Sequence, residues 1–314
     1  MSFLLTGYTG FLGSQLREEL PKHTVLLGRA PIKGAEHYHA SFVEGEDYSA
    51  ALNGVECVIH CAARVHVMDD SATDPLSIFR AVNTEGTLNL AEQAAKVGVK
   101  RFIFISSIKV NGEQTLAGNP FKPDDENVPD DPYALSKYEA EIGLRELSQK
   151  TGMEVVIIRP PLVYGPGVKG NFTSMMRWLE NGVPLPLGAI NNLRSLVSLD
   201  NLVDLIKVCI EHPQAANETF LVSDDNDLST TQLLSKLVGG LGAPKRLFPV
   251  PTPMLNTCAY LLGKKDIAQR LLSSLQVDIS KTKSLLKWSP PHTVNESLNK
   301  TARYFLNHKK SCIY

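Results

Sequence analysis

The sequence predicts an α/β protein: a doubly wound parallel sheet followed by a smaller, mostly helical domain. Three observations carry this. Up to residue 160, short apolar runs rich in Val, Ile and Phe alternate with helical stretches. The first run leads straight into a glycine-rich turn. After Gly165 the texture changes to clustered Pro and Gly, and then to helical spacing.

Apolar runs stand at residues 3–6, 24–27, 57–61, 102–106 and 155–158. Each is nearly continuous, as expected of strands buried on both faces of a parallel sheet. Residues 11–20, 75–97 and 133–150 place Leu, Ala and Ile at helical spacing between them. Strands separated by helices imply right-handed βαβ units. Asp74-Pro75 starts the second helix, with proline in the first turn, and Gly98 stops it. Pro160, Pro161, Gly165, Pro166, Gly167 and Gly170, then Pro184, Pro186 and Gly188, mark loops around a helix at 172–181. Residues 194–199 alternate like a strand, and Asp200 is placed to cap the next helix. A strand at 220–222 precedes helices at 230–241, 254–262 and 294–306. The boundaries implied are 1–166 with 190–225 for the sheet domain and 167–189 with 226–314 for the second.

The turn runs from Gly7 through Gly10, Phe11 and Leu12 to Gly13, between the first strand and the first helix. Glycine allows close backbone approach, and a helix N-terminus offers free N–H groups to a pyrophosphate. In this strand–turn–helix context the three glycines predict a dinucleotide, in a Rossmann-type sheet. An acid at the end of the second strand favours NAD by holding the ribose hydroxyls. Here Leu27-Gly28-Arg29 has none, and Arg29 suits a 2′-phosphate. NADP is therefore expected, with NAD as the other choice.

Tyr133 and Lys137 are four apart, on one face of the helix that follows the fourth apolar run. A nearby ammonium is expected to favour the phenolate, so that the pair can relay a proton during hydride transfer. The fourth run ends in Ser106-Ser107, at a strand edge that points toward the ligand crevice.

These residues resemble the extended short-chain dehydrogenase/reductase family, in its NAD-dependent nucleotide-sugar epimerase and dehydratase branch, across nearly the whole chain. The marks are the glycine turn, His60-Cys61-Ala62-Ala63, Asn83, Ser106-Ser107 before Val110-Asn111-Gly112, Tyr133 with Lys137, the run from Arg159 to Pro166, the run from Arg194 to Asp200, and Leu286-Lys287-Trp288. The resemblance implies Ser107, Tyr133 and Lys137 as the catalytic set, with Lys137 also on the nicotinamide ribose. Ala62, Ala63 and Pro160 would line the cofactor crevice, and Asn83 would support the active-site strands. Asn171 and Arg194 would meet the substrate's diphosphate, Lys109 would reach the substrate pocket, and a small Ser274 would leave room for an N-acetyl group. A homodimer through the helices at 75–97 and 133–150 is also implied. Where 4,6-dehydratases carry an Asp-Glu pair, this chain has Ile108-Lys109, so elimination is not expected.

Composition excludes other classes. The chain has 314 residues and a net charge of −1, without a long basic run, so nucleic acid is not an expected partner. Lys309-Lys310 reads as a solvated tail. Cys57, Cys61, Cys209, Cys258 and Cys312 are scattered and odd in number, which predicts free thiols in a reducing compartment. Cys312 is third from the end, so it makes no prenylation box. No metal-ligand spacing, signal peptide or membrane span is read, and a cytoplasmic location is expected. The reaction expected first is NADPH-dependent reduction of a UDP-4-keto-6-deoxy-N-acetylhexosamine for surface polysaccharide. A UDP-glucose or UDP-GlcNAc 4-epimerase is the alternative, and a non-catalytic NADP sensor a remote third.

Overall fold

The computed structural model describes residues 1–65, 74–116, 118–125 and 127–308. Cys312 and the Lys309-Lys310 tail lie outside these residues. Nine strands are formed by the described residues: β1 (Phe3–Thr6), β2 (Val25–Leu27), β3 (His37–Tyr38), β4 (Cys57–His60), β5 (Arg101–Ile105), β6 (Glu154–Arg159), β7 (Leu162–Tyr164), β8 (Leu196–Ser198) and β9 (Thr219–Leu221). Seven make one sheet in the order β3-β2-β1-β4-β5-β6-β9, and every pairing in it is parallel. The order reverses between β1 and β4, which opens a crevice beyond the strand ends where ligands bind in such sheets. β7 and β8 form a separate parallel pair.

Twelve α-helices complete the described chain: α1 (Phe11–Glu19), α2 (Ser49–Leu52), α3 (Pro75–Phe79), α4 (Gly86–Lys96), α5 (Pro132–Thr151), α6 (Asn171–Glu180), α7 (Leu199–Glu211), α8 (Thr230–Leu241), α9 (Thr252–Leu261), α10 (Lys265–Leu272), α11 (Ser280–Leu286) and α12 (Val294–Asn307). Side chains alternate across each strand, so both faces of the sheet need cover. Leu5, Ile59 and Ile103 pack with Leu16 of α1 and Leu202 and Ile206 of α7. Leu4, Val58 and Phe102 pack with Leu90 of α4 and Ala140 and Leu144 of α5. A third apolar cluster joins Phe172 of α6, Leu234 of α8 and Leu298 and Phe305 of α12.

Three expected features take a different form. The helix read across 75–97 is three pieces, because Arg80–Glu85 widens into a π-helical turn between α3 and α4. Its start is as read: Asp74 accepts from Ser77 N–H and Pro75 sits in the first turn. Asp200 does not cap α7. Ser198 does so, accepting from Asn201 N–H, because the strand ends one residue earlier than expected and the helix starts at Leu199. Asp200 lies in the first turn and pairs with Lys300 at 2.6 Å. Finally, α10 and α11 occupy a stretch where no helix was expected.

Two buried guanidinium groups tie distant segments together. Arg159 forms a two-bond pair with the fully buried Glu141 of α5 at 2.9 and 2.5 Å. Arg101 donates to the carbonyls of Cys209, Ile210 and His212, at 2.7–3.1 Å, which lie 108–111 residues further on.

Candidate active site

β1 ends at Thr6, and the chain turns with Gly7 at φ +67°. Gly10 N–H donates to Gly7 O at 2.9 Å and closes the turn. A Cβ on Gly7 would lie 2.6 Å from the backbone of Cys61, and one on Gly13 would lie 2.1 Å from Gly7 O. No other residue fits at either place, so the glycines let α1 start directly over the strand ends. Gly10 caps α1 without any side-chain bond, which leaves the first N–H groups at Phe11, Leu12 and Gly13 free for an anion. The cradle therefore fits the pyrophosphate of a dinucleotide.

Ala62 and Ala63 follow β4 across the crevice. Ala62 N–H donates to Thr6 Oγ1 at 3.0 Å, and His60 is buried between Thr6 and Thr87. Burial, with the Lys137 charge nearby, lowers the His60 pKa to about 3, so this imidazole stays neutral. It is a structural bridge between β1 and α4. Pro160 is buried, and its carbonyl accepts from Ile108 N–H at 3.0 Å. Arg29 follows β2 and is exposed.

The two serines after β5 separate cleanly. Ser106 donates to Glu141 at 2.6 Å and belongs to the buried ion-pair network. Ser107 lies near the phenol of Tyr133, whose ionisation it favours, and its Oγ also caps the short 3₁₀ turn Ile108–Val110. Asp131 caps α5 by accepting from Ala134 N–H, so Tyr133 and Lys137 occupy its first two turns. Lys137 is buried, donates to Ile105 O at 3.0 Å, and lies 4.4 Å from the centre of the Phe104 ring.

The electrostatics of this pair depart from expectation. Burial first, and then the Asp131 carboxylate, push Tyr133 up to about 12, while Ser107 opposes them. Burial lowers Lys137 to about 8 against the opposing pull of Cys61 and Glu141. Without the cofactor's own charge, a phenol is favoured here over a phenolate. The Lys137 ammonium does not outweigh desolvation.

Asn83 sits in the π-helical turn and is fully buried. Its amide accepts from Arg64 N–H at 2.8 Å and donates to Arg64 O and to Ser136 Oγ, both at 3.0 Å. Ser136 in turn donates to Tyr133 O at 2.7 Å. The π turn thus clamps the segment after β4 to the Tyr133–Lys137 turn of α5.

A cleft of about 990 Å³ opens beside the glycine turn. Gly10, Phe11, Asn171 and Arg194 line it together, although they come from distant parts of the chain. Asn171 is the first residue of α6; Gly170 holds the cap position. Arg194 is partly buried and donates to Ser273 O at 3.2 Å. Arg270 of α10 lines the same cleft and was not foreseen. The Ile267 and Leu271 spacing around it was the available signal. Ser107, Tyr133 and Lys137 do not line this cleft and gather at the β5–α5 edge of the crevice. Two further residues expected near the substrate have partners within the protein. The Lys109 ammonium pairs with Glu113 at 3.0 Å and Asp131 at 3.2 Å. The Ser274 hydroxyl accepts from Leu193 N–H at 3.0 Å and does not reach the cleft wall.

The family model for the NAD dependent epimerase/dehydratase family matches residues 3–223, from β1 through β9. The chain belongs to this family. Membership makes it an NAD-dependent enzyme with a Rossmann-type sheet. Among epimerase/dehydratase relatives, a Vibrio cholerae protein named UDP-glucose 4-epimerase is 50% identical over 97% of this chain and 95% of its own length. An Escherichia coli O157:H7 protein named N-acetyl-alpha-D-glucosaminyl-diphospho-ditrans,octacis-undecaprenol 4-epimerase is 30% identical, over 98% and 96%. The structure of UDP-glucuronic acid 4-epimerase from Bacillus cereus, solved with NAD, superposes with a TM-score of 0.78 at 20% identity, covering 98% of this chain and 99% of that one. No helix among the described residues is long and apolar enough to cross a membrane, and none of their His, Cys, Asp and Glu side chains cluster as a metal site.

Proposed function

We propose that this protein is a UDP-sugar 4-epimerase. The observation that carries the reading is half-identity, over almost the full length of both chains, to a protein named for that activity. Bound NAD supplies the acceptor and donor of a hydride at the sugar's C4. Tyr133 accepts the C4 hydroxyl proton and gives it back, and Ser107 holds the same oxygen. Lys137 holds the nicotinamide ribose, and Gly7, Gly10, Phe11, Leu12 and Gly13 hold the phosphates. Ala62, Ala63 and Pro160 line the crevice. Arg194, with Arg270 and Asn171, grips the diphosphate, which keeps the substrate bound while the oxidised sugar turns its other face. In this reading the crevice divides a dinucleotide lobe (1–166 and 190–225) from a substrate lobe (167–189 and 226–314). The α3–α4 and α5 helices pair across a homodimer.

A second reading is favoured by one residue. Arg29 stands where an acid would select NAD, and a consumed NADPH fits a reductase of a UDP-4-keto-6-deoxy-N-acetylhexosamine. Two incubations distinguish them: UDP-glucose or UDP-GlcNAc with NAD, and the 4-keto sugar with NADPH. Isomer formation without net cofactor change supports the epimerase. Loss of NADPH absorbance in the second alone replaces it with the reductase.

A further inference from the structure

Helix α9 has no buried residue. A helix in water normally covers an apolar stripe against its own protein, yet here, of the apolar side chains, only Leu255 and Ala259 are half-buried and the larger share faces out. Tyr260, Leu261 and Leu262 are 73–77% exposed at its C-terminal end, and Met254 is 61% exposed. Gly263, at φ +64°, turns the chain into α10. Together these residues form an apolar ridge larger than scattered single exposures.

The charge next to the ridge is mostly positive: Lys264 and Lys265 stand directly beside it with one acid, Asp266, after them, in a chain of net charge −1. Lys264 and Lys265 follow directly on Leu261-Leu262-Gly263 and are exposed. Apolar side chains with an aromatic at the edge, backed by ammonium groups, match the layering of acyl chains below anionic headgroups. A protein partner or a second copy would have to supply acids against these lysines and an apolar groove as well.

We propose that the α9–α10 hairpin seats this protein on the surface of an anionic lipid bilayer. The ridge lies in the acyl–headgroup boundary, and Lys264 and Lys265 meet lipid phosphates. The hairpin lies on the bilayer and does not cross it. The proposal holds whichever sugar the cleft takes, because Tyr260, Leu261, Leu262, Lys264 and Lys265 do not line that cleft.

The test is co-sedimentation of the full chain with vesicles of equal parts phosphatidylcholine and phosphatidylglycerol, beside vesicles of phosphatidylcholine alone. The anionic vesicles are expected to bind it, with binding weakened by salt. K264A/K265A is expected to lower partitioning by about thirty-fold, a factor of about five for each lysine. L261D/L262D is expected to abolish it, and both variants should turn over soluble substrate as the parent does. Absence of binding to anionic vesicles overturns the proposal, as does equal binding by both variants. A change of oligomeric state in L261D/L262D, read by light scattering, also overturns it and assigns the ridge to a second copy of the chain.

Discussion

The ammonium of Lys109 lies 3.2 Å from Asp131, the carboxylate that opposes ionisation of Tyr133. Asp131 is committed to capping α5, so it cannot move away from the phenol. Lys109 is therefore placed to offset a charge that the helix start requires. Lys109→Met is expected to move the alkaline-rising limb of the kcat/KM profile to higher pH, because an uncompensated Asp131 makes the phenolate harder to form. Lys109→Arg should restore the parent profile. Superimposable profiles for all three would separate Lys109 from the reaction.

Lys137 carries a stability cost with a defined pH window. Its folded pKa, about 8, lies below the ordinary 10.5, so between these values the unfolded chain binds more protons. Stability then rises with pH from about 8 to about 10.5 and is level in this respect outside that window. The buried charge costs at most about 3 kcal/mol below pH 8. Lys137→Met should unfold at higher urea than the parent at pH 7, and its advantage should shrink as pH climbs through the window. Turnover should be lost at every pH. Parallel stability curves would place the lysine's cost elsewhere.

Gly13→Ala puts a methyl group 2.1 Å from Gly7 O. The clash is with backbone, so α1 must shift off the strand ends. Dinucleotide binding is expected to disappear, as read by fluorescence titration. Gly239→Ala, within α8 and in open space, should instead stabilise the protein by about 0.5–1 kcal/mol.

Arg29→Ala tests the cofactor's 2′ position. Loss of a charge-assisted bond is worth about 1.5–3 kcal/mol, so NADPH should bind roughly ten- to a hundred-fold more weakly while NADH changes little. Equal weakening of both would remove Arg29 from the 2′ site.

Much of this was readable from residue pattern because it rests on local rules. Buried parallel strands need continuous apolar runs, and those at 3–6 and 57–61 became β1 and β4 within a residue. Helix α8 runs over the residues expected, since Ser229 and Gln232 form a reciprocal cap and Gly242 ends it in a left-handed conformation. What stayed hidden depends on partners far along the chain. Ser106 and Ser107 look alike until Glu141 takes the first and leaves the second to the turn beside Tyr133. Lys109 looks free until Asp131, 22 residues later, claims it. The π turn has no period of its own to read, and Arg270 meets the cleft only through residues such as Phe11 and Asn171 far back along the chain.

The sheet's last strand has a consequence for synthesis. β6 pairs on its far side only with β9, and between them the chain builds β7, α6, β8 and α7. While those segments are still emerging from the ribosome, β6 is a raw edge able to template a neighbouring strand. The guanidinium of Arg101 also lacks the carbonyls it will later hold. Translational pausing before β9 has left the ribosome should therefore raise aggregation of the nascent protein, and pausing after it has emerged should not.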